Sequence, residues 1–146
     1  MAIDRQGTGL SLLRILLGVF FVCQGLSKLR WFIDSSLLLQ QLNSWEHGVA
    51  AGSIGARYLR QVAIPYAAIF ARLVPAGEIV SGLSMVLGVW TRLFAFVAFV
   101  MVLNIHVASG RIFAYGFLTN AYGLPVLGAT LALAIGGLRL PWSIGR

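Results

Sequence analysis

The sequence predicts an all-α integral membrane protein, a four-helix bundle with an amphipathic interfacial segment between helices 1 and 2. Hydrophobic residues make up 59% of the 146 residues and charged residues only 10%, whereas soluble domains carry about 25% charged residues. The mean hydropathy is +0.88. Because each crossing needs about 20 apolar residues, the length leaves no room for a large domain in water, and we treat residues 1–146 as a single membrane domain.

The apolar residues fall in four runs that we interpret as membrane spans. The first ends beside Lys28, Arg30 and Trp31, and cations next to an aromatic ring are typical of the membrane interface. Met1–Leu10 lacks the pattern of a cleaved signal peptide, so we expect the first run to be a retained helix. The predicted spans cover residues 10–29, 64–90, 93–108 and 122–138.

The interfacial loop, residues 31–63, is too polar to cross the membrane. Leu38, Leu42, Trp45 and Val49 recur in it at helical spacing, while polar residues occupy the other faces. This pattern predicts a short amphipathic helix in the headgroup region.

The charges indicate a lipid bilayer partner and no nucleic acid. Lys and Arg total 11 against 4 Asp and Glu, but the cations are spread along the chain, whereas a nucleic-acid patch gathers them on one face. Four crossings place both termini on one side. We expect the cytoplasmic side of a bacterial inner (plasma) membrane, although the cations divide almost evenly between the two faces. The single cysteine, Cys23, excludes an internal disulfide and is expected to be an inert packing residue.

Small residues recur along the predicted fourth span, at Gly128, Ala132 and Gly136. Such rows let helix backbones approach closely in lipid, where apolar burial gives little drive for association. We expect this row to serve packing within a compact bundle or in an oligomer.

Ionisable residues inside the spans need partners, because a charge near the bilayer centre costs about 2.5–3.5 kcal/mol even on insertion scales. Glu78 lies midway along the second span, and we expect Arg14 on the first span to pair with it across the helix interface. Arg72 is six positions from Glu78 and therefore on another helix face.

Other polar residues are predicted to converge at one depth, towards the loop side of the membrane. They would form a pocket for a polar-headed lipophilic molecule such as a quinone or a bound lipid. The alternative is an internal network that only fixes helix register. The candidate residues are Arg14, Gln24, Lys28, Arg72, Glu78, Asn104 and His106.

The chain contains no nucleophile elbow, phosphate loop, zinc-ligand spacing or acidic pair. His106 and His47 are the only histidines, and His47 lies in the loop, which argues against paired haem ligation. We therefore expect no catalytic activity of the chain on its own, no metal and no intrinsic cofactor.

Two segments resemble the DoxX family of small four-span membrane proteins. LLRILLGVFFVCQGLSKL contains Arg14 and Lys28, GEIVSGLSMVLGVWTR contains Glu78, and the resemblance extends from Leu12 to about Gly137. It implies a four-helix bundle and association with membrane redox systems such as thiosulfate:quinone oxidoreductase. Many relatives carry a histidine where this chain has Gln24, which puts any role of that histidine in doubt here.

Two functions follow as hypotheses. The first is a non-catalytic membrane subunit or anchor of a larger redox or electron-transfer complex, which contacts other membrane subunits through its small-residue faces and the interfacial loop. The alternative is a quinone-reactive component of an oxidoreductase, with Lys28, Arg72, Glu78 and His106 around the head group. A small-solute transporter is less favoured, because the sequence shows no pair of discontinuous helices.

Overall fold

A computed structural model describes residues 5–112 and 114–144, and within these ranges every regular element is a helix, as predicted. Three of the described helices are long and apolar enough to cross a membrane, which confirms the integral membrane class; they are Arg5–Ser27, Ala67–Leu87 and Thr91–Ala108. The elements are α1 (Arg5–Ser27), α2 (Arg30–Ile33), α3 (Ser36–Gly48), α4 (Ile54–Tyr58), a π-helical turn (Leu59–Ala63), α5 (Ala67–Leu87), α6 (Thr91–Ala108), α7 (Tyr115–Thr119) and α8 (Leu124–Gly136).

The fourth predicted span forms a shorter helix than its apolar run. Helix α8 has 13 residues and is therefore about 20 Å long, against a hydrocarbon thickness of about 30 Å. Pro125 lies in its first turn, where a missing N–H costs nothing. A fourth complete crossing stays a prediction, and so does the placement of the termini.

Helices α1 and α5 pack antiparallel through glycines. A Cβ atom on Gly18 would lie 2.7 Å from the Gly82 carbonyl oxygen, and one on Gly25 would lie 2.8 Å from the Pro75 carbonyl oxygen. Real Cβ atoms do not approach so closely, so these glycines bring the two backbones into contact and fix their register. The first turns of α5, which contain Ala67, therefore extend past the end of α1.

The interfacial loop folds as predicted around an amphipathic helix, α3. Leu38 and Leu42 are buried in one cluster with Ala67 of α5, while Trp45 and Val49 pack against the edge of this cluster.

At the start of α3, the amide and the hydroxyl of Ser36 both donate to the Asp34 carboxylate. These hydrogen bonds lower the pKa of Asp34. We call this end of the bundle, where α1 ends and α5 begins, the loop-side end.

The other end, where α1 begins and α8 ends, is the terminal-side end. After α8 the chain turns back over it, and the Ile144 amide donates to the Leu87 carbonyl at 3.0 Å. The Ser11 hydroxyl donates to the Pro141 carbonyl at 2.8 Å. These bonds join the segment 140–144 to the ends of α1 and α5.

Two packing expectations are corrected by the structure. Cys23 is exposed on the outer surface of α1 and does not pack in the core. Gly128, Ala132 and Gly136 are also exposed, and a Cβ atom on Gly128 would meet no atom within 4 Å. Helix α8 instead buries Val126, Thr130 and Leu133, the residues of its opposite face.

Candidate functional site

A cavity of about 220 Å³ opens at the loop-side end, between α1, α5 and α6, with α3 along one side. This volume is more than ten times the roughly 10–15 Å³ that a single water needs. Its lining is mostly apolar, with polar groups contributed by several helices. We call it the Lys28 cavity, and it is lined by Phe20, Phe21, Gln24, Lys28, Trp31, Leu38, Gln41, Leu42, Trp45, Tyr58, Ala63, Phe70, Val74, Glu78, Val102, Asn104, Ile105, His106, Ala108, Tyr122 and Val126.

An ion pair forms one wall of the Lys28 cavity. Lys28 Nζ donates to Glu78 Oε1 at 2.7 Å and to Oε2 at 2.8 Å. The side chains are 18% and 6% exposed, respectively. Lys28 reaches this position because it lies just past the end of α1, beside the middle of α5. The pair therefore keeps two opposite charges out of lipid while it borders a space that a ligand could enter.

Gln24 and Trp31 complete the surroundings of the lysine. Lys28 Nζ lies 3.2 Å from both the backbone and the side-chain oxygen of Gln24, and 6.0 Å from the centre of the Trp31 ring. Because Oε1 of Gln24 accepts from the lysine, the amide nitrogen at the other end of this group points away from Nζ. That nitrogen is a donor, as a ligand carbonyl requires.

A second polar group comes from α6. Asn104 Nδ2 donates to the Tyr58 hydroxyl at 2.8 Å, and His106 Nε2 lies 3.0 Å from the Tyr122 carbonyl oxygen. Because a carbonyl only accepts, Nε2 of His106 is the donor in this bond. The His106 ring also meets Phe117 edge-on, with 4.8 Å between the ring centres. Both α6 side chains are thus oriented by partners outside α6.

The predicted pairing of Arg14 with Glu78 is wrong, because Arg14 lies at the terminal-side end. Its Nη1 donates to the Met85 carbonyl at 2.8 Å and its Nη2 to the Trp142 carbonyl at 2.9 Å. Met85 is seven positions from Glu78 along α5, a rise of about 10 Å. The glycine contacts between α1 and α5 set this register, and it brings Lys28 to the carboxylate instead.

The predicted convergence is met by five residues and not by the two arginines. Arg72 is exposed on α5 and its Nη1 donates to the Ala68 carbonyl of the preceding turn, outside the cavity. Its separation of six positions from Glu78 places it on another helix face. The residues that do line the cavity together are Gln24, Lys28, Glu78, Asn104 and His106.

Sequence reasoning missed the contribution of the interfacial loop to the cavity wall. Gln41 and Trp45 of α3 and Tyr58 of α4 line the cavity. The apolar periodicity of α3 carried the signal for Trp45, since the apolar face that this spacing defines is the face that packs on α5. Of the residues in the described ranges, no three His, Cys, Asp or Glu side chains are grouped so that they could hold a metal ion.

Comparison with known proteins gives one match. The family model described as DoxX matches residues 9–111, which is more than half of the chain and includes α1, the interfacial loop, α5 and α6. No curated protein matches the chain, and neither does any solved structure.

Proposed function

The chain belongs to the DoxX family, and we propose that it binds a quinone, or another lipophilic molecule with a ring and polar oxygens, in the Lys28 cavity, as a component of a membrane redox complex. The observation that carries this proposal is the composition of the cavity wall, in which aromatic side chains surround a few polar groups from α1, α5 and α6. Binding sites for small organic molecules have this composition.

The polar groups of the Lys28 cavity would contact the ligand in different ways. A quinone carbonyl accepts hydrogen bonds, and the Gln24 amide nitrogen is a donor turned away from Lys28. The ammonium of Lys28 is shared with Glu78, so it places positive charge near the ligand while its own charge stays balanced. Trp31 and Trp45 offer flat apolar surfaces for a ring.

The redox partner is a separate protein in this proposal. A bound quinone supplies the electron-accepting chemistry, and the protein supplies binding, orientation and surrounding charge. Electrons would therefore arrive from a neighbouring subunit of the complex. The chain's own residues hold the head group and exclude water from it.

A second candidate function, the non-catalytic anchor, is favoured by the outer face of α8. Gly128 and its neighbours along the helix, Ala132 and Gly136, are exposed, and small residues let a helix of another subunit approach closely. We propose cysteine crosslinking from this face in native membranes as its test. Because Cys23 is itself exposed on α1, the variants are made in a Cys23→Ser background. A crosslink to another protein from Ala132→Cys, but not from Leu16→Cys at an exposed position of α1, supports an anchor, whereas no crosslink from either variant argues against it.

Quinone binding is tested with the double variant Gln24→Ala/Asn104→Ala and the matched control Arg72→Gln. The detergent-solubilised protein is titrated with a short-chain quinone, and binding is measured as quenching of the tryptophan fluorescence. The Asn104 amide has a second N–H besides the one that meets Tyr58, so in this proposal each of the two amides donates one hydrogen bond to the ligand. Loss of both, at about 0.5–1.5 kcal/mol each, predicts roughly tenfold weaker binding by the double variant, with no change for the control. Equal affinities for both variants, or no binding by the wild type, would contradict the proposal.

A further inference from the structure

A second groove, of about 340 Å³, lies at the terminal-side end, opposite the Lys28 cavity. It runs between the turn that joins α5 to α6 and the segment that follows α8. Two arginines line it, Arg92 from the first turn of α6 and Arg139 from the segment after α8, and Ser143 also lines it. We call it the arginine groove, and the proposed quinone site does not use it.

Arg92 is held in place by its Nε, which donates to the Ala134 carbonyl of α8 at 3.0 Å. This bond directs the guanidinium to the end of α8 and leaves the two Nη groups for another acceptor. Within residues 5–112 and 114–144, neither these groups nor the guanidinium of Arg139 donates a hydrogen bond to the protein.

The carboxylates in the described part of the chain do not balance this charge, because each is engaged elsewhere. Asp34 accepts from Ser36, Glu46 pairs with Arg60 at 2.6 Å, and Glu78 pairs with Lys28. All three lie towards the loop-side end. The arginine groove therefore presents two positive charges that no described acid neutralises.

Exposed indoles place the groove at the membrane surface. Trp90, which lines it, is 72% exposed, and the neighbouring Trp142 is 60% exposed. Tryptophans concentrate at the headgroup level of a bilayer, the level at which lipid phosphates lie. Basic pockets between membrane helices bind anionic headgroups, and the guanidinium fork matches phosphate oxygens in a bidentate geometry.

We infer that the arginine groove binds a phosphate group through Arg92 and Arg139. Both the headgroup of an anionic phospholipid and free inorganic phosphate carry this chemistry. The apolar indoles at the rim favour the lipid, whose acyl chains would continue along the helices below. Such a lipid would bridge the start of α6 and the segment after α8.

The test is lipid binding by the purified full-length protein, measured by native mass spectrometry with phosphatidylglycerol and, as a neutral comparison, phosphatidylcholine. The variant is Arg92→Gln/Arg139→Gln. The control is Arg30→Gln/Arg57→Gln, which removes the same charge from exposed arginines of the loop-side half. A third variant, Arg92→Lys/Arg139→Lys, keeps the charge and removes the bidentate fork, and thermal melting in detergent confirms that each variant is folded.

We expect the wild type to retain phosphatidylglycerol in preference to phosphatidylcholine. The double glutamine variant should bind it about tenfold more weakly, the control should bind as the wild type does, and the lysine variant should fall between them. Competition by inorganic phosphate distinguishes the two sources. Displacement of the lipid only by other phospholipids assigns the groove to a headgroup, whereas displacement by phosphate at similar concentration assigns it to a soluble anion. Equal binding by wild type, glutamine variant and control would overturn the inference.

Discussion

Two cations at opposite ends of the contact between α1 and α5, Arg14 within α1 and Lys28 just past its end, are stabilised in different ways. Arg14, at the terminal-side end, is 0% exposed, and within residues 5–112 and 114–144 its hydrogen bonds all go to backbone carbonyl oxygens. Lys28, at the loop-side end, is 18% exposed in its side chain and meets the Glu78 carboxylate. One cation thus interacts with fixed dipoles, and the other with a full opposite charge beside a cavity.

This difference indicates a structural role for Arg14, whereas the function proposed above gives Lys28 a role in binding. The flat guanidinium of Arg14 reaches carbonyls of α5 and of the segment 140–144 at once, so it joins three parts of the chain. The Lys28–Glu78 pair borders open space, where a third group can share its hydrogen bonds.

Replacement of Arg14 should give the largest effect on stability. Arg14→Gln removes two short charge-assisted bonds at about 1.5–3 kcal/mol each, so we expect the free energy of unfolding to fall by about 3–6 kcal/mol. Unfolding by titration with dodecyl sulfate in mixed micelles measures this. Arg5→Gln, at an exposed arginine of the same helix, is the control and should change stability little. A similarly small loss for Arg14→Gln would show that the carbonyl contacts do not anchor the terminal-side end.

Substitution of a glycine where α1 contacts α5 should lower the free energy of unfolding by less than Arg14→Gln does. Gly18→Ala places a methyl group 2.7 Å from the Gly82 carbonyl oxygen, and overpacking of this kind costs about 1–3 kcal/mol. Gly128→Ala is the matched control, because its methyl group meets nothing within 4 Å. The same unfolding titration compares the two. Equal stability of both variants would mean that α1 and α5 are not in the close contact that sets their register.

The three long apolar helices and the amphipathic helix could be predicted from the sequence, but the partner of Glu78 could not. Apolar runs and helical spacing are local properties, and they located α1, α5, α6 and α3. The depth of Glu78 is not local, because α5 begins at Ala67 and extends past the end of α1. Counting from the predicted start at residue 64 put the carboxylate level with Arg14, whereas the contacts of Gly18 and Gly25 bring it level with Lys28.

The face of a helix on which a side chain lies could be predicted where both residues compared belong to the same helix. The separation of Arg72 from Glu78 placed the two side chains on different faces, and the structure has Arg72 outside the cavity. Its inclusion in the predicted pocket rested on depth alone. The burial of Trp45 against the bundle depends on how the interfacial loop folds onto α5, and no spacing within the loop specifies that.

The most direct test of this contrast is a pair of double-mutant cycles on the stability of the protein, one for Lys28→Met with Glu78→Gln and one for Arg14→Gln with Glu78→Gln. Contacting residues show coupling energies of about 0.5–3 kcal/mol, whereas distant residues are additive. We predict coupling of about 1 kcal/mol for Lys28 with Glu78 and none for Arg14 with Glu78. Coupling of Glu78 to Arg14 and not to Lys28 would contradict the assignment of the two cations.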